Sequence, residues 1–218
     1  MTFEPIITAK VYDSCRAQEC LMSIARAAEP ITINGRYIEK NKIIPVIYGA
    51  GSVTINNFNL IKSNIISKQP SSFQNGFWII EVEFVYEYTL NFQDCNKNII
   101  LRAKAYSANT KRYKLFGSVS AEATMATDAF GIGCLGTSSA EPFVVSESSA
   151  VALKAEFRCN HRDLQPVDVA VTIGLFSIAK LVRMVGLDVQ SQGFCTPRKC
   201  DSTPINPCSF FKNSDFLI

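Results

Sequence analysis

Cysteine is the residue type in this chain whose number and spacing could support chemistry. Of the eight cysteines, Cys15 and Cys20 lie near the N-terminus, and Cys195, Cys200 and Cys208 lie in a Pro-rich tail. Thiolates coordinate zinc, and pairs of thiols oxidise to disulfides. Because each end of the chain contains a Cys-x4-Cys pair, we expect both ends to be held by cross-links or by a metal ion.

Three interpretations of this set stay open from the sequence. Structural zinc sites use Cys-x2–4-Cys spacing, so four thiolates from the two ends could form one tetrahedral site, and zinc is the one cofactor suggested. The prolines between the tail cysteines fit a disulfide-linked arm about as well. Buried or unused reduced thiols are the third interpretation. Weaker candidates for the same cross-linking or metal-binding role are Cys95, Cys134 and Cys159.

Catalytic machinery is not evident in the sequence. The single histidine, His161, lies two residues after Cys159, and a polar turn after a strand is favoured there over a Cys–His pair. The glycines of segment 131–136 match the letters of a dinucleotide fingerprint. No apolar strand precedes that segment, however, and no convincing helix follows it. We therefore expect a protein that is not an enzyme.

Charge and hydropathy limit the classes of partner. The net charge is +3, and it is evenly spread: residues 1–110 carry 11 basic and 9 acidic side chains, and residues 111–218 carry 11 and 10. Without a concentrated basic patch we expect no nucleic-acid partner. The longest apolar stretch, residues 169–179, is about half the length that crosses a bilayer, so we expect no membrane partner. The first residues lack the regions of a signal peptide, which predicts synthesis in a cytoplasm.

Alternation of apolar and polar side chains dominates the chain and predicts half-buried strands. The clearest run is 77–92, with acidic side chains on one face and a continuous apolar face opposite. Residues 93–98 resemble a hairpin turn that leads to a partner strand at 99–106. A short helix is expected within residues 14–28. The fold class is therefore mainly β, an antiparallel β-sandwich with at most one short helix. Further strands are predicted at 6–12, 52–60, 113–122, 143–145, 150–158 and 167–183.

Two regions follow from these patterns. Residues 1–194 form a β-rich domain, in which the small and polar segment 123–142 is a connector. Residues 195–218 form a Cys/Pro-rich C-terminal arm, because prolines disfavour regular helix and central strand. The end of the arm is apolar and needs a surface, either on its own domain or on a neighbouring subunit. Its docking residues are Phe210, Phe211, Phe216, Leu217 and Ile218.

The segment Val11–Leu21, VYDSCRAQECL, resembles a motif written VYDSCRxQDCL in uncharacterised proteins of spore-forming Clostridia. Ala17 stands at the variable position, and Glu19 replaces the usual Asp. Some members of that group are described as spore-coat or spore-appendage proteins. The resemblance covers about eleven residues and implies a structural role on the spore surface or outside the cell. It assigns no chemistry to Cys15 or Cys20.

These observations predict a structural, self-assembling protein of a spore coat, surface layer or fibre. Its partners would be copies of itself and other coat proteins, joined by strand or arm exchange and by cysteine cross-links. Because the cytoplasm keeps thiols reduced, oxidation is expected only after lysis of the mother cell, at the spore surface or outside the cell. The alternative is a carbohydrate- or peptidoglycan-binding β-sandwich module.

Overall fold

A computed structural model describes residues 5–117, 141–159, 166–188 and 198–199, with side chains described for 8–117, 141–159 and 167–183. In this part of the chain every regular element is a strand, and there is no helix. The strands are β1 (Pro5–Ile24), β2 (Arg26–Ala27), β3 (Ile31–Ile33), β4 (Arg36–Ile38), β5 (Ser52–Pro70), β6 (Phe77–Gln93), β7 (Ile99–Phe116), β8 (Phe143–Cys159), β9 (Pro166–Asp188) and β10 (Arg198–Lys199).

The strands form two four-stranded sheets and a small hairpin. Sheet A has the order β10-β1-β9-β8, sheet B has the order β2-β7-β6-β5, and β3 pairs with β4. Every pairing is antiparallel except that of β10 with β1. The inner faces of the two sheets meet, and the hydroxyls of Tyr113 on β7 and Ser177 on β9 share a hydrogen bond of 2.6 Å. The predicted antiparallel β-sandwich is confirmed.

Alternation along β6 and β9 builds the core. The apolar face predicted for residues 77–92 is buried along its whole length, and it packs towards the odd-numbered residues of β9. Removing each of these large side chains from water contributes about 1.5–3 kcal/mol. The buried side chains of β6 are Trp78, Ile80, Val82, Phe84, Tyr86, Tyr88, Leu90 and Phe92, and those of β9 include Val169, Val171, Ile173, Leu175 and Leu181.

The prediction of a helix within residues 14–28 is wrong. β1 pairs with β9 from Pro5 to Ile24, and its inward side chains Cys15 and Ala17 are 7% and 3% exposed. At Ala25 the chain leaves sheet A, and at Arg26 it joins sheet B opposite Tyr106. Packing between the two sheets therefore overrides the weak helical signal of this segment.

The long strands give the sandwich its length. β9 has 23 residues, which span about 75 Å at about 3.3 Å per residue. The strands expected at 99–106 and 113–122 are one strand, β7, up to Phe116, and β8 likewise joins two predicted segments. β5 extends to Pro70 and contains three register shifts, which are typical of bulges on an edge strand.

Candidate functional site

Two of the predicted cysteines lie on opposite faces of β1. Cys15 is 7% exposed and points into the sandwich beside Ala179 of β9. Cys20 pairs with Gly174 and points to the outer face of sheet A. Both are disulfide-bonded. They cannot bond to each other, because five residues of strand separate them by about 16 Å and turn them to opposite faces.

The C-terminal region returns to β1. Arg198 and Lys199 of β10 pair in parallel with Cys15 and Arg16. Two residues of the predicted arm therefore contact the edge strand of their own chain. Most of the remaining candidates lie outside the described residues, as does nearly all of the connector 123–142: His161, Cys134, Cys195, Cys200, Cys208, Phe210, Phe211, Phe216, Leu217 and Ile218.

The other two described cysteines, Cys95 and Cys159, are free and exposed. Cys95 follows β6, and Cys159 is the last residue of β8. The rings of Phe92 and Phe157, near the ends of these strands, stack with centroids 6.3 Å apart. The two thiols therefore lie at the same end of the sandwich, which we call the thiol end.

The turn that carries Cys95 is fixed by Asp94. One carboxylate oxygen of Asp94 accepts hydrogen bonds of 2.8 Å from the backbone N–H groups of Asn96 and Asn98, and the other accepts one of 3.1 Å from Asn98 Nδ2. These bonds, above all the backbone bond from Asn98, hold the pKa of Asp94 below its usual range. Lys97 takes the left-handed backbone conformation that the turn requires, with φ at 65°. The turn thus holds Cys95 in one place.

Apolar side chains are exposed around the thiol end. Segment 31–50 folds over this end and is anchored to β9 by a 3.3 Å hydrogen bond from Val46 N to Val167 O. The amide of Asn34 holds the same segment, donating to Val46 O and accepting from Tyr48 N. Tyr48 itself is 83% exposed. The exposed apolar residues of the thiol end are Tyr37, Ile43, Tyr48, Ile99, Ile100 and Val167.

A cleft of about 500 Å³ opens where β1 and β7 diverge. Arg26, Glu83 and Tyr106 place a cation, a carboxylate and an aromatic ring on its walls. Deeper in the cleft the hydroxyl of Ser23 donates to Asn109 Oδ1 at 2.8 Å. No sequence pattern indicates this cleft, because its residues come from four strands, and β1 and β2 are distant in the chain from β6 and β7. Its lining is Met22, Ser23, Ile24, Arg26, Glu83, Tyr106, Ala108 and Asn109.

The titratable groups with the clearest shifts belong to the core. Burial raises the pKa of Tyr88 to about 12, and burial also raises the pKa values of Tyr86 and Tyr113. The hydroxyl of Tyr88 shares a 2.6 Å hydrogen bond with Ser107. Such hydroxyl pairs satisfy polar groups inside the sandwich. In the part of the chain that the structure describes, no three His, Cys, Asp or Glu side chains cluster as a metal site would require.

The described residues hold no helix long and apolar enough to span a membrane. No family model, no curated protein and no solved structure matches the chain.

Proposed function

We propose that this protein is a non-catalytic structural subunit that assembles with copies of itself into a coat layer, surface layer or fibre. The observation that carries the proposal is the thiol end, where free and exposed Cys95 and Cys159 stand among exposed apolar side chains. Apolar surface drives association, and a thiol pair in the contact can then lock it covalently. Strand or arm exchange between subunits would add contacts of the kind that exposed strand edges accept.

The locking step is an ordinary oxidation. One thiol from each of two subunits forms an S–S bond, and two protons and two electrons pass to an oxidant such as a small-molecule disulfide. The cytoplasm would oppose this step, and an oxidising exterior would allow it. The motif Val11–Leu21 supports a place on a spore surface after lysis of the mother cell, with other coat proteins as further partners.

The test compares assembly with and without oxidant. Full-length protein is incubated with oxidised glutathione, run on reducing and non-reducing gels, and viewed by negative-stain electron microscopy. We expect reductant-sensitive ladders and ordered sheets or fibres. The double variant Cys95→Ser/Cys159→Ser should lose the ladder. Tyr48→Ser/Ile99→Ser should weaken the association without oxidant.

Phe73→Ser is the matched control. Phe73 is 95% exposed and lies in the loop between β5 and β6, at the opposite end of the sandwich. The Phe73→Ser variant should assemble like the wild type. A wild-type protein that stays monomeric after oxidation, with both free thiols still reactive, would refute the proposal.

We propose a carbohydrate- or peptidoglycan-binding module as the second candidate, and the cleft supports it. An aromatic ring beside charged and amide groups, as with Tyr106, Arg26 and Asn109, suits a polar ligand with flat apolar faces. Isothermal titration with peptidoglycan fragments would show binding that Tyr106→Ala and Arg26→Ala each reduce at least tenfold. If titration of the wild-type protein with these fragments gave the same heats as titration of buffer, the binding-module candidate would be refuted.

A further inference from the structure

Each sheet ends in an edge strand on the same side of the sandwich. β8 is the last strand of sheet A and β5 is the last strand of sheet B, and the two strands lie against each other. Among the described residues, no strand pairs with the free side of either one. A free edge presents a row of backbone N–H and C=O groups that can pair with another chain. We call this side of the molecule the edge side.

The edge of β5 is protected against such pairing. Three register shifts interrupt its pairing with β6, and at the first of them Asn57 takes the left-handed backbone conformation, with φ at 51°. Lys62 adds an exposed charge, and Pro70 is the last residue of the strand. Bulges, lysine and proline are the means by which natural proteins keep edge strands from pairing. A regular sheet therefore does not continue beyond β5.

The edge of β8 lacks this protection over its first ten residues. From Phe143 to Ala152 every residue pairs with β9, and no register shift interrupts the pairing. This segment, which we call the regular run, contains no proline and no lysine. Its single charged side chain, Glu147, is paired with Lys180 of β9. A regular strand with so little charge is the kind of edge that accepts another strand.

Exposed apolar side chains lie along the edge side. Val151 and Leu153 of β8 are 41% and 43% exposed, and Ile61, Ile65 and Ile66 of β5 are each about half exposed. Apolar residues that cluster on a surface mark a contact with a partner. The backbone edge of β8 and the apolar side chains beside it therefore belong to one surface that is accessible to a neighbour.

A second copy of this chain fits the edge of β8. In a symmetric antiparallel pair the same strand of two copies meets across a two-fold axis, and residues equally far from the axis face each other. With the axis at Ser148, Val151 of one copy faces Val145 of the other, and Leu153 faces Phe143. Val145 and Val151 both lie on the outer face of sheet A. This register therefore covers the exposed apolar residues of β8 with apolar residues of the second copy.

Charge disfavours the two nearest registers. With the axis at Glu147, the carboxylates of the two copies would face each other, and like charges directly opposite destabilise a strand pair. With the axis at Ser149, each Glu147 would face the apolar Val151. With the axis at Ser148, Glu147 faces Ser149, which is small, polar and exposed. The strand is therefore complementary to itself in the register centred on Ser148.

We propose that two copies of this chain pair antiparallel through β8, centred on Ser148. Sheet A then continues across the dimer as one sheet, with four strands from each copy. The exposed isoleucines of β5 in both copies lie beside the seam. This inference rests on the proposed self-assembly and deepens it, because it supplies a lateral contact between subunits. The contact itself uses no group of the thiol end.

The first test removes the thiol end from the measurement. The full-length variant Cys95→Ser/Cys159→Ser/Tyr48→Ser/Ile99→Ser, the end-silenced protein, is studied by sedimentation equilibrium without reductant. We expect a dimer that dissociates on dilution. A monomer at every concentration would overturn the proposal and leave assembly through the thiol end standing. A dimer here, with no oxidant-dependent ladder from the wild type, would refute the thiol end alone.

Substitutions at Ser149 test the register in the end-silenced protein. Ser149→Glu sets a carboxylate opposite Glu147 of the other copy, and Ser149→Lys sets an ammonium group there, twice in each dimer. We expect the dimer Kd to rise about fivefold with Glu and to fall about fivefold with Lys. Ser72→Glu and Ser72→Lys, in the exposed loop between β5 and β6, are the matched controls and should leave the Kd unchanged. Shifts of the same sign for both Ser149 variants, or no shift, would overturn the register.

Hydrogen exchange identifies the strand that the dimer covers. The end-silenced protein is labelled at concentrations below and above its Kd, and its peptides are analysed by mass spectrometry. We expect amides of the regular run to exchange about tenfold more slowly in the dimer, and those of β5 to change little. Protection of β5 without protection of β8 would place the contact on the other edge and overturn the proposal.

Discussion

Alkaline titration should weaken this fold through its buried tyrosines. The pKa of Tyr88 is raised to about 12 by burial, while a tyrosine in the unfolded chain ionises near its model value of 10.0. Above pH 10 the unfolded chain therefore loses the proton first, and unfolding becomes more favourable. Each pH unit between the two values removes about 1.4 kcal/mol from the free energy of unfolding, so Tyr88 alone removes about 1.4 kcal/mol by pH 11. Tyr86 and Tyr113 shift in the same direction and steepen the fall.

The assay is urea unfolding at pH 8 to 11, followed by the fluorescence of Trp78, the only tryptophan, after the free thiols are alkylated. Tyr88→Phe should lose about 1 kcal/mol at pH 8, because its hydroxyl no longer bonds Ser107. Its free energy of unfolding should then fall less than that of the wild type between pH 8 and 11, by about 1.4 kcal/mol. Tyr37→Phe is the control, since Tyr37 is 68% exposed and should leave the slope unchanged.

Identical slopes for the wild type and Tyr88→Phe would refute this reasoning. So would an absorbance titration of the folded protein in which all seven tyrosines ionise together near pH 10. Either result would mean that water reaches the hydroxyls between the sheets.

Three further substitutions probe the fold. Leu175→Ala leaves a cavity at a fully buried position and should lower the free energy of unfolding by about 2–5 kcal/mol in urea. Gly117→Ala would place a Cβ 2.3 Å from Leu181 Cδ2 and 2.7 Å from Trp78 Cδ1, and it should cost about 1–3 kcal/mol and shift the Trp78 emission. The lowered pKa of Asp94 gives stability that is present above its usual pKa of 3.8 and lost as pH falls. Asp94→Asn should therefore lower the melting temperature at pH 7 and flatten its fall towards pH 3.

The elements that the sequence predicts well are those in which one face is buried. In β6 the acidic residues Glu81 and Glu83 alternate with apolar ones, so the strand and its face follow directly from the pattern. In β1 the inward residues are as small as Ala17, and the outward ones include Gln18 and Arg16, so the periodicity is weak and helix signals compete. This segment is a strand because it pairs with β9 along its whole length, and the sequence pattern does not show that pairing.

The candidate site could be predicted in part for the same reason. Sequence spacing groups Cys15 with Cys20. On a strand, however, two residues five positions apart point to opposite faces. The spacing alone does not show that this segment is a strand, so it could not predict that the two thiols point apart. The grouping of Cys95 with Cys159 is set by the packing of sheet B on sheet A, which brings the ends of β6 and β8 together, as the stacked rings of Phe92 and Phe157 show. Residues 64 positions apart carry no local signal of that proximity.

Position in the sandwich separates the four cysteines that the structure describes into bonded and free thiols. Cys15 faces the core and Cys20 the outer face of sheet A, and both are already bonded, so they are unavailable to a neighbour without reduction or exchange. Cys95 and Cys159 are exposed at the thiol end, about 75 Å of strand from the opposite end of β9. Subunits that are joined to a single neighbour through Cys95 or Cys159 would pair end to end and stop at dimers. Growth beyond a dimer therefore requires that Cys95 and Cys159 bond different neighbours, or that the subunits make a second contact such as exchange of the arm. The single variants Cys95→Ser and Cys159→Ser separate these two routes by the size of the largest reductant-sensitive species that each one forms.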